Sequence, residues 1–314
     1  MTDLPVRHDF NCTEYTVERR IYKLFFPDLG GSMKKHLITA LVTPFSNGHI
    51  DFSALDKLLD YQLSAKTDGI LVLGTTGESN CVDPEERKEL ISYVRKNTGN
   101  THLMAGCCSN NTAVAALYAK QAQDLGADSI LAVTPYYNKC SQQGAYLHFK
   151  TIAENTDIPL TLYNVPSRTG FRLSFPTVQR LSEIKNITAV KEAGGDFSFI
   201  TDLLCKTDLD IYCGEDMLDF PMLSMGCKGL ISVVSNVAPH LLRRMCDELR
   251  PDKKMIALNK KLTDMCFCET NPIPVKYALS LMGLCRAEYR LPLCPPSDET
   301  KSFIRNTLAE ENLI

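Results

Sequence analysis

Short apolar, β-branched runs recur along the chain, separated by stretches with helical periodicity. They cover His36 to Thr43, Gly69 to Gly74, His102 to Cys108, Ser129 to Pro135, Pro159 to Pro166, Ile187 to Ala193, Leu209 to Asp216 and Gly229 to Asn236. Runs this continuous suit strands buried on both faces, the condition of a parallel sheet covered by helices. The intervening stretches carry helix signals. Asp83-Pro84-Glu85-Glu86 offers an N-cap with proline at the first helical position, and Asn111 to Leu125 holds an alanine/leucine stripe that stops at Gly126. Eight such strand–helix repeats predict an α/β protein closed as a (β/α)8 TIM barrel. A doubly wound open sheet would normally carry a glycine-rich turn after its first strand, and Val42-Thr43-Pro44-Phe45 has none.

Beyond Pro251 the pattern is helical only, with segments near 253 to 269 and 273 to 283. A loop punctuated by Pro292, Pro295 and Pro296 then leads to a last helix. This C-terminal helical extension is expected to pack on the barrel's flank. Met33 follows Gly30-Gly31-Ser32 and precedes Lys34-Lys35 and the first strand, a natural start for the folded unit. The expected division is an N-terminal extension over 1–32, a barrel over 33–250 and a helical region over 251–314.

Size and composition narrow the partners. At 314 residues the chain accommodates one barrel plus additions, although size alone also allows two small domains. A formal charge of −3 leaves no basic field for a phosphate backbone, so nucleic acid is not expected. No apolar stretch in the first thirty-odd residues is long enough for a signal core or a membrane span. The thirteen cysteines include no C-x-x-C pair and suggest neither a zinc site nor a redox motif. They fit small buried hydrophobes in a reducing cytoplasm.

Active sites of such barrels lie at the C-terminal ends of the strands, where four positions stand out. The sixth run reads Ile187-Thr188-Ala189-Val190-Lys191-Glu192-Ala193 and places a lysine in the barrel interior. Desolvation there lowers an amine's pKa toward the range in which its neutral form attacks carbonyls. The bland alternative is an interior ion pair, but Glu192 is adjacent on the strand and points to the other face. The second run ends in Gly74-Thr75-Thr76-Gly77-Glu78, whose glycines allow backbone N–H groups to approach a carboxylate. The fifth ends in Tyr163-Asn164-Val165-Pro166-Ser167-Arg168, offering a phenol for proton transfer and a guanidinium for a carboxylate. A core tyrosine and a surface arginine would look the same. The fourth ends in Thr134-Pro135-Tyr136-Tyr137-Asn138, with two aromatics at a loop tip that packing into a neighbouring subunit would cover.

Together with Gly214-Glu215-Asp216 and Asn271-Pro272-Ile273-Pro274-Val275-Lys276, these segments resemble the dihydrodipicolinate synthase family of pyruvate-dependent class I aldolases, in order and spacing, from about Lys35 onward. The resemblance implies condensation of pyruvate with L-aspartate-4-semialdehyde, on the route to lysine and diaminopimelate. Lys191 would form the imine, and Tyr163, Thr75 and Tyr137 would make a proton relay, Tyr137 reaching into a partner subunit. Backbone groups near Thr75 and Thr76 would hold the pyruvate carboxylate, Arg168 would take that of the semialdehyde, and Gly214 and Ile231 would line the pocket. A homodimer or homotetramer is implied. No metal or organic cofactor is expected, because the lysine imine is itself the electron sink.

The sequence departs from the family where relatives that respond to lysine bind it. Ser79, Asn110 and Tyr136 match, but Val114 stands in place of a glutamate, and Pro84 and Arg87 in place of histidines. Feedback by lysine is therefore expected to be weak or absent. Glu215, where the family has aspartate, is a minor change. The alternatives are a lyase for sialic acid or 2-keto-3-deoxy sugar acids, against which Arg168 argues, and a non-catalytic barrel that binds keto acids. A pyridoxal-phosphate enzyme would need a phosphate cup after the last strands, and Gly229-Leu230-Ile231-Ser232 is too apolar for one.

Overall fold

The computed structural model describes residues 34–248 and 252–314, so the expected extension over 1–32 lies outside the described residues. Eight parallel strands form the barrel: β1 (His36–Ala40), β2 (Gly69–Val72), β3 (His102–Gly106), β4 (Ser129–Val133), β5 (Leu160–Asn164), β6 (Ile187–Glu192), β7 (Asp210–Cys213) and β8 (Gly229–Ser232). Each pairs with its sequence neighbours, and β8 closes the ring against β1, with Ile38 opposite Ile231. The (β/α)8 expectation is met. All eight apolar runs form strands, but each strand stops short of the run's end, where the chain leaves the sheet for the loops at the C-terminal side of the barrel.

Leu73 shows why. It follows β2 with a φ of 57°, a left-handed conformation that ends the strand. Its carbonyl then comes so close to β3 that a Cβ at Gly106 would lie 2.0 Å from it, so only glycine fits there.

Helices between the strands start where the sequence places caps. Asp83 accepts from the Glu85 and Glu86 amides at 3.0 Å, and Glu86 returns a bond to the Asp83 amide, a reciprocal cap of about 1 kcal/mol. Asn111 caps the Thr112–Asp124 helix by accepting from the Ala113 and Val114 amides, without a bond in return, and the buried face of that helix is Ala115, Ala116, Ala119 and Ala122. Two apolar layers result. The larger lies between strands and helices, whereas the smaller fills the ring itself and includes Ile38, Met104, Leu131, Tyr163, Tyr212 and Ile231.

The C-terminal helices span Lys253–Cys266, Ile273–Leu281 and Asp298–Glu310. The first packs against the short turns after β7 and β8, and Asn259 Nδ2 donates to the Asp216 carbonyl at 3.0 Å. The second also touches the turn after β8, so these two reach the rim at the strands' C-terminal end, while the first packs as well on the flank helix Pro239–Asp247 and the last packs on the other two. Helical periodicity shows which face is apolar but not which distant surface it meets.

Candidate active site

Lys191 sits on β6, where the register sets it beside Tyr163 of β5 and Tyr212 of β7. Residues paired in this way point to the same side of a sheet, so the lysine and both tyrosines enter the barrel together. Its side chain is buried, and its Nζ lies 4.4 Å from the centre of the Tyr163 ring. Burial lowers its pKa to about 8, partly opposed by the charge of Asp216. Glu192 faces outward, accepting from Asn164 Nδ2 at 2.8 Å and from the Gly194 amide at 2.6 Å. The bland pairing of the two residues is therefore not formed, and burial, only partly offset by the bonds from Asn164 and Gly194, raises the Glu192 carboxyl to about 7.

A cavity of about 120 Å³ opens above the amine, bounded among others by Leu131, Tyr163, Val165, Lys191, Gly214 and Asn271. That is roughly four times the ~30 Å³ share of one water molecule, room for a small acid. Gly214 makes the approach possible, since a Cβ there would lie 2.6 Å from Lys191 Cε and 2.7 Å from its Cγ. A second hollow of about 280 Å³ adjoins it and shares Thr75, Val165, Arg168 and Asn271, giving a mouth that leads inward to the lysine.

The turn after β2 presents donors to this space. Gly77, Glu78 and Ser79 use their amides within the turn, bonding back to Gly74 and Thr75 carbonyls at 3.1 to 3.3 Å. The amides of Thr75 and Thr76 make no hydrogen bond among the described residues and remain available to an anion. The Thr75 hydroxyl is in hydrogen-bond reach of the Tyr163 phenol, whose pKa burial pushes well up. Arg168 lies exposed at the mouth, its guanidinium 3.4 Å from the Asn271 carbonyl.

Six of the eight residues singled out in the sequence, Lys191, Tyr163, Thr75, Thr76, Arg168 and Gly214, line the inner cavity. Ile231 is buried in the inward apolar layer but is not part of that lining. Tyr137 is 89% exposed, has a φ of 70° and is not part of the lining of this chain's cavity. Asn271 belongs to a segment to which the sequence assigns no role. It bounds both hollows, donates to Thr76 Oγ1 at 3.0 Å and has a buried Oδ1 that lacks a partner among the described residues.

The profile of the "Dihydrodipicolinate synthetase family" matches residues 33–311. The chain belongs to this family. It is 43% identical over 283 residues to 4-hydroxy-tetrahydrodipicolinate synthase of Alkaliphilus oremlandii, covering 88% of this chain and 98% of the relative. The dihydrodipicolinate synthase structure from Thermotoga maritima superposes with a TM-score of 0.86 at 40% identity, covering 90% of this chain and all of that one. The enzyme from Cyanidioschyzon merolae with lysine bound gives 0.85 at 34% identity, with 90% and 99% covered. These likenesses span the barrel and its C-terminal helices, so the dihydrodipicolinate synthetase assignment extends over both.

Proposed function

We propose that this chain is a 4-hydroxy-tetrahydrodipicolinate synthase, a lyase that joins pyruvate to L-aspartate-4-semialdehyde through an imine on Lys191. The observation that carries the reading is the desolvated amine facing a small cavity beside a phenol. A pKa near 8 leaves about a tenth of the amine neutral at pH 7, roughly 300-fold more than a lysine at its usual 10.5 would have.

In the proposed sequence the neutral Lys191 amine adds to the keto carbon of pyruvate. Water leaves, taking the keto oxygen, and a protonated imine remains. Tyr163, backed by Thr75, passes the protons in these steps. The Thr75 and Thr76 amides hold the pyruvate carboxylate, which fixes the methyl group toward the mouth. Loss of a methyl proton gives an enamine, and the imine nitrogen takes up the electron pair. The enamine carbon then attacks the aldehyde of the second substrate, whose carboxylate Arg168 receives in a bidentate clamp. Finally the adduct's own amine attacks the imine carbon, closes the ring and frees Lys191.

Tyr137 completes the relay from a partner subunit in this reading, so the active unit is at least a homodimer. Its exposure at a strained loop tip supports such a role. A reducing cytoplasmic setting agrees with free thiols at every described cysteine. Among the described residues no helix is long and apolar enough to cross a membrane.

Pyruvate followed by borohydride, read by mass spectrometry of peptides, tests site and reaction class together. A reduced pyruvyl adduct on Lys191, absent from Lys191→Ala along with all turnover, is the expected result. An adduct on another residue would overturn the assignment. Turnover of sugar acids in place of the semialdehyde would move the chain to another aldolase activity.

A further inference from the structure

Glu78 and Lys276 form an ion pair whose two side chains are completely buried. Neither appears in the chemistry above, and burying two charges usually costs as much as their attraction returns. Their location in the fold gives the pair a purpose. Glu78 closes the Gly74-Thr75-Thr76-Gly77 turn, in a left-handed conformation with φ 50°, and its amide donates to the Thr75 carbonyl at 3.1 Å. Its other carboxylate oxygen accepts from the Arg290 amide at 3.1 Å. Lys276 stands on the Ile273–Leu281 helix, which begins just after Asn271, the residue bonded to Thr76. Its Nζ also lies 4.1 Å from the centre of the Phe45 ring, and the Arg290 guanidinium lies 4.2 Å from the same ring. Arg290 goes on to hold the Cys81 carbonyl at 2.7 Å and the Glu86 carboxylate.

We infer that the Glu78–Lys276 pair is a positioning device that holds the Thr75 and Thr76 amides at the geometry needed for the pyruvate carboxylate. It joins the turn proposed to bind the anion to the C-terminal helix that starts directly after Thr270, Asn271 and Pro272, which line the mouth. A non-glycine residue in left-handed conformation persists only where its surroundings hold it, and two directed contacts on the Glu78 carboxylate do so. The charges thus act through the turn and touch no substrate. The inference rests on the proposed use of those amides for pyruvate.

The test is the variant Glu78→Gln/Lys276→Met, which removes both charges at nearly constant volume. A purely structural pair would leave its Michaelis constants unchanged, because partial unfolding lowers the amount of active enzyme and not its affinity. The expected result is a folded protein with KM for pyruvate raised about tenfold or more, while KM for the semialdehyde and kcat stay within about threefold. Wild-type KM for pyruvate in the folded double variant overturns the inference. Should that variant not fold, Glu78→Asp decides, since it keeps both charges and draws the carboxylate back by one methylene from Lys276 and from the Arg290 amide. A raised pyruvate KM there supports the device, and an unchanged one overturns it. Borohydride trapping on the wild-type enzyme separates the two levels: no adduct on Lys191 defeats the proposed function, whereas a normal adduct with unaffected variants defeats only this inference.

Discussion

The α-carbon of Gly214 lies against the aliphatic stem of Lys191, so the amine's path into the cavity depends on a missing side chain on the next strand's loop. Gly214→Ala would put a methyl group 2.6 Å from Cε, and the flexible lysine stem would be the part to move. A displacement of about 1 Å at a reacting atom costs on the order of 10²-fold in rate. The expected outcome is a folded variant with kcat/KM for pyruvate lower by about that factor. Steady-state kinetics beside a thermal melt checks it, and wild-type kinetics would mean the stem has slack.

Imine formation should depend on pH through the same lysine. The folded state disfavours its ammonium, so the proton leaves near pH 8 where the unfolded chain would hold it to about 10.5. The rate of trapping with pyruvate is expected to climb about tenfold per unit below pH 8 and to level off above it. A rate flat from pH 6 to 9 would contradict this. Because the folded chain binds fewer protons between those two values, the group's penalty on stability is complete below pH 8 and is gone above 10.5.

Tyr137→Phe removes one hydroxyl at the exposed loop tip and keeps the ring. If the residue serves a partner's relay, kcat falls by about 10²-fold while sedimentation shows unchanged assembly. Unchanged turnover in an assembled protein would leave Tyr137 with packing alone.

Lysine should inhibit weakly. Val114 offers no carboxylate to a ligand's ammonium, and Arg87, buried, donates to the Gly106 carbonyl at 2.6 Å while stacking on Tyr118. Millimolar lysine is expected to leave most activity, and an inhibition constant in the low micromolar range would refute the reading. Val114→Glu is the variant in which sensitivity should rise.

Strands were legible because burial on both faces leaves an unbroken apolar run, and Lys191 was legible because it interrupts one. Strand ends were not, since residues such as Leu73 stay apolar after the backbone has left the sheet. Thr75, Thr76 and Arg168 could be found from strand-end position and motif together. Asn271 could not be given its place, because nothing local says that a residue about 195 positions after Thr76 bonds to it. The Glu78–Lys276 pair is not legible in the sequence for a similar reason: a glutamate in a turn and a lysine on a helix look solvated until the fold brings them together.

Phe267 and Asn271, which help enclose the amine, come from the last fifth of the chain. During translation, therefore, a ribosome that has delivered all eight strands has not yet delivered a finished pocket. Reactivity toward a keto acid has to wait until the closing helices emerge, which keeps a nucleophilic lysine on an incomplete chain from being fully assembled for chemistry.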